Sequence, residues 1–120
     1  MPYFFDSYAI IEMVKRSQQF AVYLDEKITV TILNVIEIAQ YFLINAGEEK
    51  AKKICDILSE NVVELRNTDI LIAVTFRTDH KKKSLSYADC IGYTYAKQHG
   101  LIFLTGDDAF KDMPNVEFVK

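Results

Sequence analysis

Two periodicities of apolar residues alternate along this chain. Short apolar or β-branched runs, typical of strands, occupy residues 2–6, 27–32, 61–65, 101–105 and 116–119. Between them, apolar residues recur at helical spacing over about 8–18, 34–46, 48–59, 68–78 and 86–100. Strands that alternate with helices are typical of a parallel sheet covered on both faces. The pattern therefore predicts a three-layer α/β/α sandwich with a central, mainly parallel sheet.

Individual residues predict where the helices begin and end. Ser7 can cap the first helix, and the pairs Asn34/Glu37 and Ser86/Asp89 have the spacing of a capping box. Gly47 is a natural residue to follow the helix over 34–46. Gly92 falls inside the last helix, where a glycine costs about 1 kcal/mol relative to alanine. We expect it to mark close packing of this helix, and a dimer interface is one candidate.

Composition narrows the class of protein. The 120 residues predict a single domain, 1–120, since no linker or repeat interrupts them. Half of the residues are apolar, which excludes a disordered chain, and two cysteines exclude a disulfide scaffold. No apolar run reaches roughly 18 residues and the first residues lack a basic segment, so we expect a cytoplasmic protein without a membrane span. The net charge of −3 does not by itself favour a nucleic-acid binder.

Four carboxylates lie where an α/β sheet carries its functional groups. Asp6 ends the first predicted strand, Asp107 follows the strand over 101–105, and Glu37 and Asp89 lie in first helical turns. Each also has a structural interpretation, because Glu37 and Asp89 can close capping boxes and Asp6 and Asp107 can bond turn amides. The helix of Glu37 is apolar almost all round, which predicts a buried acid that needs a partner.

Carboxylates gathered in one crevice repel one another, and a divalent cation relieves that repulsion. Oxygen-only ligands favour Mg²⁺ or Mn²⁺ over zinc, and two such ions are the usual clamp for phosphodiester hydrolysis. Without the four acids, 13 acidic residues face 14 basic ones, so the remaining surface need not repel a polyanion. The run of Lys81, Lys82 and Lys83 is a candidate phosphate contact, although a solvated loop also explains it.

Four segments together resemble the PIN domain: Phe5-Asp6-Ser7, Glu37 in a helix after a strand, Leu85–Cys90, and Leu104–Phe110. The chain as a whole resembles the short toxins of VapBC-type toxin–antitoxin pairs. This resemblance implies a Mg²⁺- or Mn²⁺-dependent ribonuclease, commonly a homodimer held inactive by an antitoxin protein. It matches Asp6, Glu37, Asp89 and Asp107 to the family's acidic, metal-binding cluster.

The same resemblance assigns supporting positions. Ser7 matches the small hydroxyl residue after the first acid, and Thr105 matches the residue expected to orient a carboxylate or a water. Many relatives carry a further acid where this chain has Ala109, and the neighbouring Asp108 is the candidate substitute.

These observations predict a metal-dependent endoribonuclease in which Asp6, Asp89 and Asp107 hold the metal, and the resemblance implies that it is the toxin of a toxin–antitoxin pair. Glu37 would bind the metal or position the attacking water. Two alternatives stay open. Ala109 motivates a non-catalytic binding module with the same fold. A receiver-type phosphoacceptor domain fits the length, but it needs paired acids after the first strand, where only Asp6 is found.

Overall fold

The computed structural model describes residues 2–120, and its centre is a parallel three-stranded sheet. The strands are β1 (Tyr3–Phe5), β2 (Ile102–Thr105) and β3 (Val116–Phe118), in the order β1-β2-β3. Phe4 pairs with Phe103, and Phe103 in turn pairs with Val116. The last strand of the sequence and the first therefore both flank β2, which brings their carboxyl ends to one edge.

Within residues 2–120, five α-helices cover the sheet. They are α1 (Ser7–Val14), α2 (Ile32–Ala46), α3 (Glu48–Ser59), α4 (Asn67–Asp79) and α5 (Tyr87–Gln98). Short 3₁₀ turns lie at Gln18–Tyr23, Lys81–Lys83 and Asp108–Phe110. In the part of the chain that is described, no helix is both long and apolar enough to cross a membrane.

Alternate residues of the strands build two separate cores. Phe5 and Leu104 point to one face of the sheet and pack with α1, α2 and α3. Phe4 and Phe103 point to the other face and pack with α4 and α5. Helices thus cover both faces, and the predicted three-layer α/β/α sandwich with a parallel sheet is confirmed.

Two predicted strands are not regular strands. In the segments 27–32 and 61–65, a single parallel bridge joins Val30 to Val62. The Phe5 amide donates to the Thr29 carbonyl at 3.1 Å, so these segments continue the hydrogen bonding beyond β1. They stay short because Thr31 already caps α2, and the chain turns away from the sheet after one bridge.

The predicted helix starts were partly wrong. Asp6, rather than Ser7, caps α1, and that helix ends at Val14, before the expected residue 18. The capping box of α2 pairs Thr31 with Asn34, so the predicted Asn34/Glu37 box is wrong. The Ser86/Asp89 capping box of α5 is confirmed. Gly47 adopts φ 92° between α2 and α3, a conformation that favours glycine.

Gly92 marks a close approach to the sheet. A Cβ atom at this position would lie 2.8 Å from the Phe4 ring and 3.1 Å from the Phe103 ring. The expected close packing of this helix at Gly92 is therefore confirmed, and its partner is the sheet, because α5 lies directly on the aromatic residues of β1 and β2.

Candidate active site

The carboxyl ends of β1 and β2 open into a cavity of about 310 Å³. The side chains of Asp6, Asp89 and Asp107 line it together. The rest of the lining comes from Ser7, Tyr8, Gly106, Asp108 and Lys120. Three of the four predicted acids, which are distant in sequence, thus face one cavity at the predicted edge of the sheet. We call it the acidic cavity.

Asp6 is the buried member of this group, with a relative exposure of 4%. One carboxylate oxygen, Oδ1, accepts the Ala9 amide at 2.7 Å, and Oδ2 accepts the Thr105 hydroxyl. Burial raises the pKa of Asp6 from 3.8 to about 7, and the charges of Asp89 and Asp107 add to the rise against the lowering effect of the two hydrogen bonds. The ionised form of Asp6 therefore lowers the stability of the folded protein.

Asp89 and Asp107 have structural roles as well as a place in the cavity. Asp89 Oδ2 accepts the Ser86 amide at 3.0 Å, which closes the capping box of α5. Burial raises the pKa of Asp89, and the charge of Asp107 adds to the rise. Asp107 Oδ1 accepts the Ala109 amide at 3.0 Å. In both cases the structural role leaves acceptor positions of the carboxylate free for a ligand, since a carboxylate has more acceptor positions than these bonds occupy.

Thr105 connects two of the acids. Its hydroxyl donates to Asp6, and its oxygen accepts the Asp107 amide at 3.0 Å. The side chain is fully buried. Thr105 therefore fixes both the orientation of the Asp6 carboxylate and the start of the loop that carries Asp107.

Glu37 lies outside the lining of the acidic cavity and is exposed. The expectation that it is buried is wrong, because α2 buries only one face and leaves Ile36 and Ile44 exposed on the other. Glu37 is tied to the cavity through Ser7, whose hydroxyl donates to Glu37 Oε1 at 2.5 Å. The fourth acid thus reaches the site by way of a cavity-lining serine.

Of the remaining predicted residues, Asp108 lines the acidic cavity, whereas Lys81, Lys82 and Lys83 are outside its lining. Asp108 forms a surface ion pair with Lys120 at 2.8 Å, which lowers the pKa of the Asp108 carboxyl. Lys81, Lys82 and Lys83 form an exposed 3₁₀ turn, and Lys83 Nζ donates to the Ala109 carbonyl at 3.3 Å. The basic run therefore contacts the loop that carries two of the acids.

Sequence reasoning missed four residues at or behind the site: Tyr8, Asn34, Gly106 and Lys120. A Cβ atom on Gly106 would lie 2.2 Å from the Tyr8 ring and 2.5 Å from the Val119 carbonyl oxygen, so only glycine fits. The Gly106-Asp107 pair after a strand was a usable signal for this turn. Asn34 was interpreted as a helix cap, whereas its amide nitrogen donates to Ser7 Oγ at 3.1 Å.

The donor chemistry of the acidic cavity fits a hard divalent cation. All charged ligands are carboxylates. Burial is the main cause of the raised pKa of Asp6, and a cation would offset the smaller part that the charges of Asp89 and Asp107 add. Among residues 2–120, however, no three acidic, histidine or cysteine groups are close enough to enclose an ion. An ion such as Mg²⁺ keeps several waters and needs only one or two direct carboxylate ligands, so the carboxylates of the acidic cavity are compatible with it.

Comparison with known proteins gives the same fold. The PIN domain family model matches residues 3–116. Among solved structures, a toxin–antitoxin complex from Klebsiella pneumoniae has a TM-score of 0.75 at 18% identity, over 96% of this chain and 95% of that chain. VapBC2 from Rickettsia felis, bound to a DNA fragment from its promoter, has a TM-score of 0.71 at 16% identity over the full length of both chains.

VapBC-1 from nontypeable Haemophilus influenzae is also similar, with a TM-score of 0.68 at 16% identity over 98% of this chain and 96% of that chain. No curated protein matched the sequence. The structural matches have low identity and therefore support the fold.

Proposed function

The chain belongs to the PIN domain family, and from that premise we propose that it is a Mg²⁺- or Mn²⁺-dependent endoribonuclease. The observation that carries this proposal is the meeting of Asp6, Asp89 and Asp107 in one cavity at the carboxyl edge of the sheet. A site of this kind, with oxygen ligands only, suits hydrolysis of a phosphodiester bond.

In this proposal the three acids of the cavity and the more distant Glu37 have different roles. Asp6, Asp89 and Asp107 would hold the ion, one or two of them directly and the rest through its bound waters. When bound, the ion would supply an activated water and offset the charge on the phosphate. Thr105 keeps the Asp6 carboxylate oriented through its hydroxyl hydrogen bond. Glu37, held by Ser7, would bind the ion or position the attacking water.

The substrate backbone requires positive charge near these acids. Lys83 contacts the loop of Asp107 and Asp108, and Lys120 lines the acidic cavity. We propose that Lys81, Lys82, Lys83 and Lys120 contact RNA phosphates on either side of the cleaved bond. An RNA substrate also makes the cytoplasm the place of action.

The direct test is cleavage of RNA by the purified protein with Mn²⁺, with Mg²⁺ and with EDTA. We expect cleavage that depends on the metal and that falls at least a hundredfold in Asp6→Asn, Glu37→Gln and Asp107→Asn. Wild-type rates in all three variants would reject the site.

Asp89 offers a matched pair of variants, because it is both a cap and a candidate ligand. Asp89→Asn keeps an oxygen for the Ser86 amide but loses the charge, whereas Ser86→Ala weakens the cap and keeps the acid. We expect cleavage to be lost in Asp89→Asn and kept in Ser86→Ala. A protein that neither cuts RNA nor binds Mn²⁺ in calorimetry would instead be a non-catalytic binding module.

We further propose that the protein is the toxin of a toxin–antitoxin pair and forms a homodimer. The named complexes from Klebsiella and Haemophilus support an antitoxin partner. Exposed apolar side chains support protein contacts: α4 carries Ile70, Leu71, Ile72 and Val74 on its surface. Co-expression with the product of a neighbouring short gene, followed by co-purification, tests the antitoxin.

A further inference from the structure

Asn34 is a buried polar residue for which the proposed mechanism has no role. Its relative exposure is 2%, although it lies in the first turn of α2. Its Oδ1 accepts the Thr31 backbone amide at 2.9 Å and the Thr31 hydroxyl at 2.8 Å. Its Nδ2 donates to Ser7 Oγ at 3.1 Å. The side chain therefore joins the start of α2 to the start of α1.

The bond from the Thr31 backbone amide to Asn34 fixes the direction of the other hydrogen bonds in this series, which runs from Thr31 through Asn34 and Ser7 to Glu37. A backbone N–H can only donate, so the amide atom that faces Thr31 must be the oxygen of Asn34. The amide nitrogen then faces Ser7, whose oxygen accepts from it. The single proton of the Ser7 hydroxyl is left to donate to Glu37 Oε1 at 2.5 Å.

This order of bonds matters for Glu37 because that side chain is exposed. A free glutamate on a helix surface samples several rotamers, and ordering it costs conformational entropy. The hydrogen bond from Ser7 is assisted by the charge of the carboxylate, which makes it stronger than a bond between neutral groups. Ser7 itself lines the acidic cavity, so the bond holds Glu37 beside that cavity.

We propose that Asn34 is a positioning residue that sets the direction of the Ser7 hydroxyl proton and thereby holds the Glu37 carboxylate beside the acidic cavity. The proposal rests on the proposed function, in which Glu37 acts on the metal or the attacking water. If Asn34 were absent, the Ser7 hydroxyl would lose the donor that fixes its orientation, and Glu37 would rotate into solvent.

The first test needs neither metal nor RNA. The ¹³C resonance of the Glu37 side-chain carboxyl is measured in the wild type, in Asn34→Leu, in Ser7→Ala and in the double variant. We expect both single variants to shift this resonance in the same direction and the double variant to add nothing. The control is Asn45→Leu, which is the same change on the same helix. The side-chain amide of Asn45 donates to the Tyr41 carbonyl of its own helix and has no link to Ser7 or Glu37.

An unchanged Glu37 resonance in Asn34→Leu would overturn the proposal. Should that variant not fold, Asn34→Asp keeps the acceptor for Thr31 and loses the donor to Ser7. We expect it to give the same displacement of Glu37, because the Ser7 proton would turn to the new carboxylate.

The second test measures Mn²⁺ affinity and cleavage rate in the same variants. Residues that orient a metal ligand typically contribute a factor of about 10 to 100 to metal affinity or activity. We therefore expect Asn34→Leu and Ser7→Ala each to lower the Mn²⁺ affinity or the cleavage rate about tenfold. The double variant should also lose about tenfold. A hundredfold loss in the double variant would mean that Asn34 and Ser7 act independently, which would overturn the proposal. If the wild type neither cuts RNA nor binds metal, the proposed function fails, and the carboxyl resonance still decides the role of Asn34.

Discussion

The burial of Asp6 and its proposed role as a metal ligand favour opposite protonation states of its carboxyl group. Its carboxylate caps α1 and is buried beneath two other acids, yet a metal site needs it ionised. Hydrogen bonds from Ala9 and Thr105 favour the charged form but do not offset its burial, since the pKa rises to about 7. A position that lowers the stability of the free protein in this way is typical of functional sites.

The pH dependence of stability follows from that pKa. The unfolded chain loses the Asp6 proton near 3.8, whereas the folded chain keeps it to about 7. Between these values the folded state binds more protons, so the contribution of Asp6 to stability falls as the pH rises and levels off above 7.

Asp6→Asn should remove this fall in stability at higher pH, because asparagine cannot ionise. We expect the variant and the wild type to be similar at pH 4, and the variant to be more stable at pH 8, by at most about 4 kcal/mol for a shift of this size. Urea denaturation at both pH values measures the difference. An Asn variant that is less stable than the wild type at pH 8 would contradict the assigned cost of the buried charge.

At the scale of elements, the site depends on how closely α5 approaches the sheet. Asp89 lies in the first turn of α5, and Gly92 lies one turn later against Phe4 and Phe103. The helix can lie this near to the strands only because position 92 has no side chain. Its start, with the cap and the acid, is thereby held over the carboxyl ends of β1 and β2.

Gly92→Ala tests this contact. The higher helix propensity of alanine should stabilise the protein by about 1 kcal/mol. Overpacking of a closed core typically costs about 1–3 kcal/mol, which equals or exceeds that gain. Because both phenylalanines are fully buried, we expect a net loss of roughly 1 kcal/mol in the free energy of unfolding. Gln98→Ala, at an exposed position of the same helix, serves as the control and should change stability little. A gain in stability for Gly92→Ala would show that the aromatic rings give way.

At the scale of the whole molecule, the acids of three chain segments meet without being bound to one another. Lys120 lines the acidic cavity, and Lys83 contacts the Ala109 carbonyl near Asp107. Among the described residues, however, no base forms an ion pair with Asp6, Asp89 or Asp107. A divalent cation is therefore expected to bind the folded chain in preference to the unfolded one and to stabilise it.

The expected effect is a rise in melting temperature with added Mn²⁺. At a concentration one hundred times the dissociation constant, the gain is about 2.7 kcal/mol. Asp6→Asn should reduce that rise sharply, whereas Asp56→Asn, an exposed acid on α3, should not. An equal rise in both variants would indicate that the cation binds elsewhere.

The proposed homodimer is tested at the same scale. Leu71 on α4 is 63% exposed among three other exposed apolar side chains, which is unusual for a surface in contact with water. Light scattering should give the mass of a dimer for the wild type and of a monomer for Leu71→Asp. Val22→Asp, on the 3₁₀ turn at Gln18–Tyr23, is the matched control and should stay dimeric. A monomeric wild type would reject the dimer.

The sequence by itself determined the fold class and the four candidate acids, because both are expressed in local patterns. Apolar periodicity indicates which face of each element is buried, and the ends of strands and the starts of helices are visible as Asp6, Thr105 and the Ser86/Asp89 box. Resemblance to the PIN domain added a predicted chemistry to these positions, and the family match over residues 3–116 confirms the resemblance itself.

Only the tertiary structure decided which of these residues meet. The burial of Asp6, the exposure of Glu37 and the contact of Gly92 with the strands depend on how closely separate elements pack, and periodicity along one element does not contain that distance. The link from Asn34 through Ser7 to Glu37 joins positions 27 and 30 residues apart. A hydrogen bond across such a separation has no local signature, because it exists only once the two helices have been brought together by the sheet.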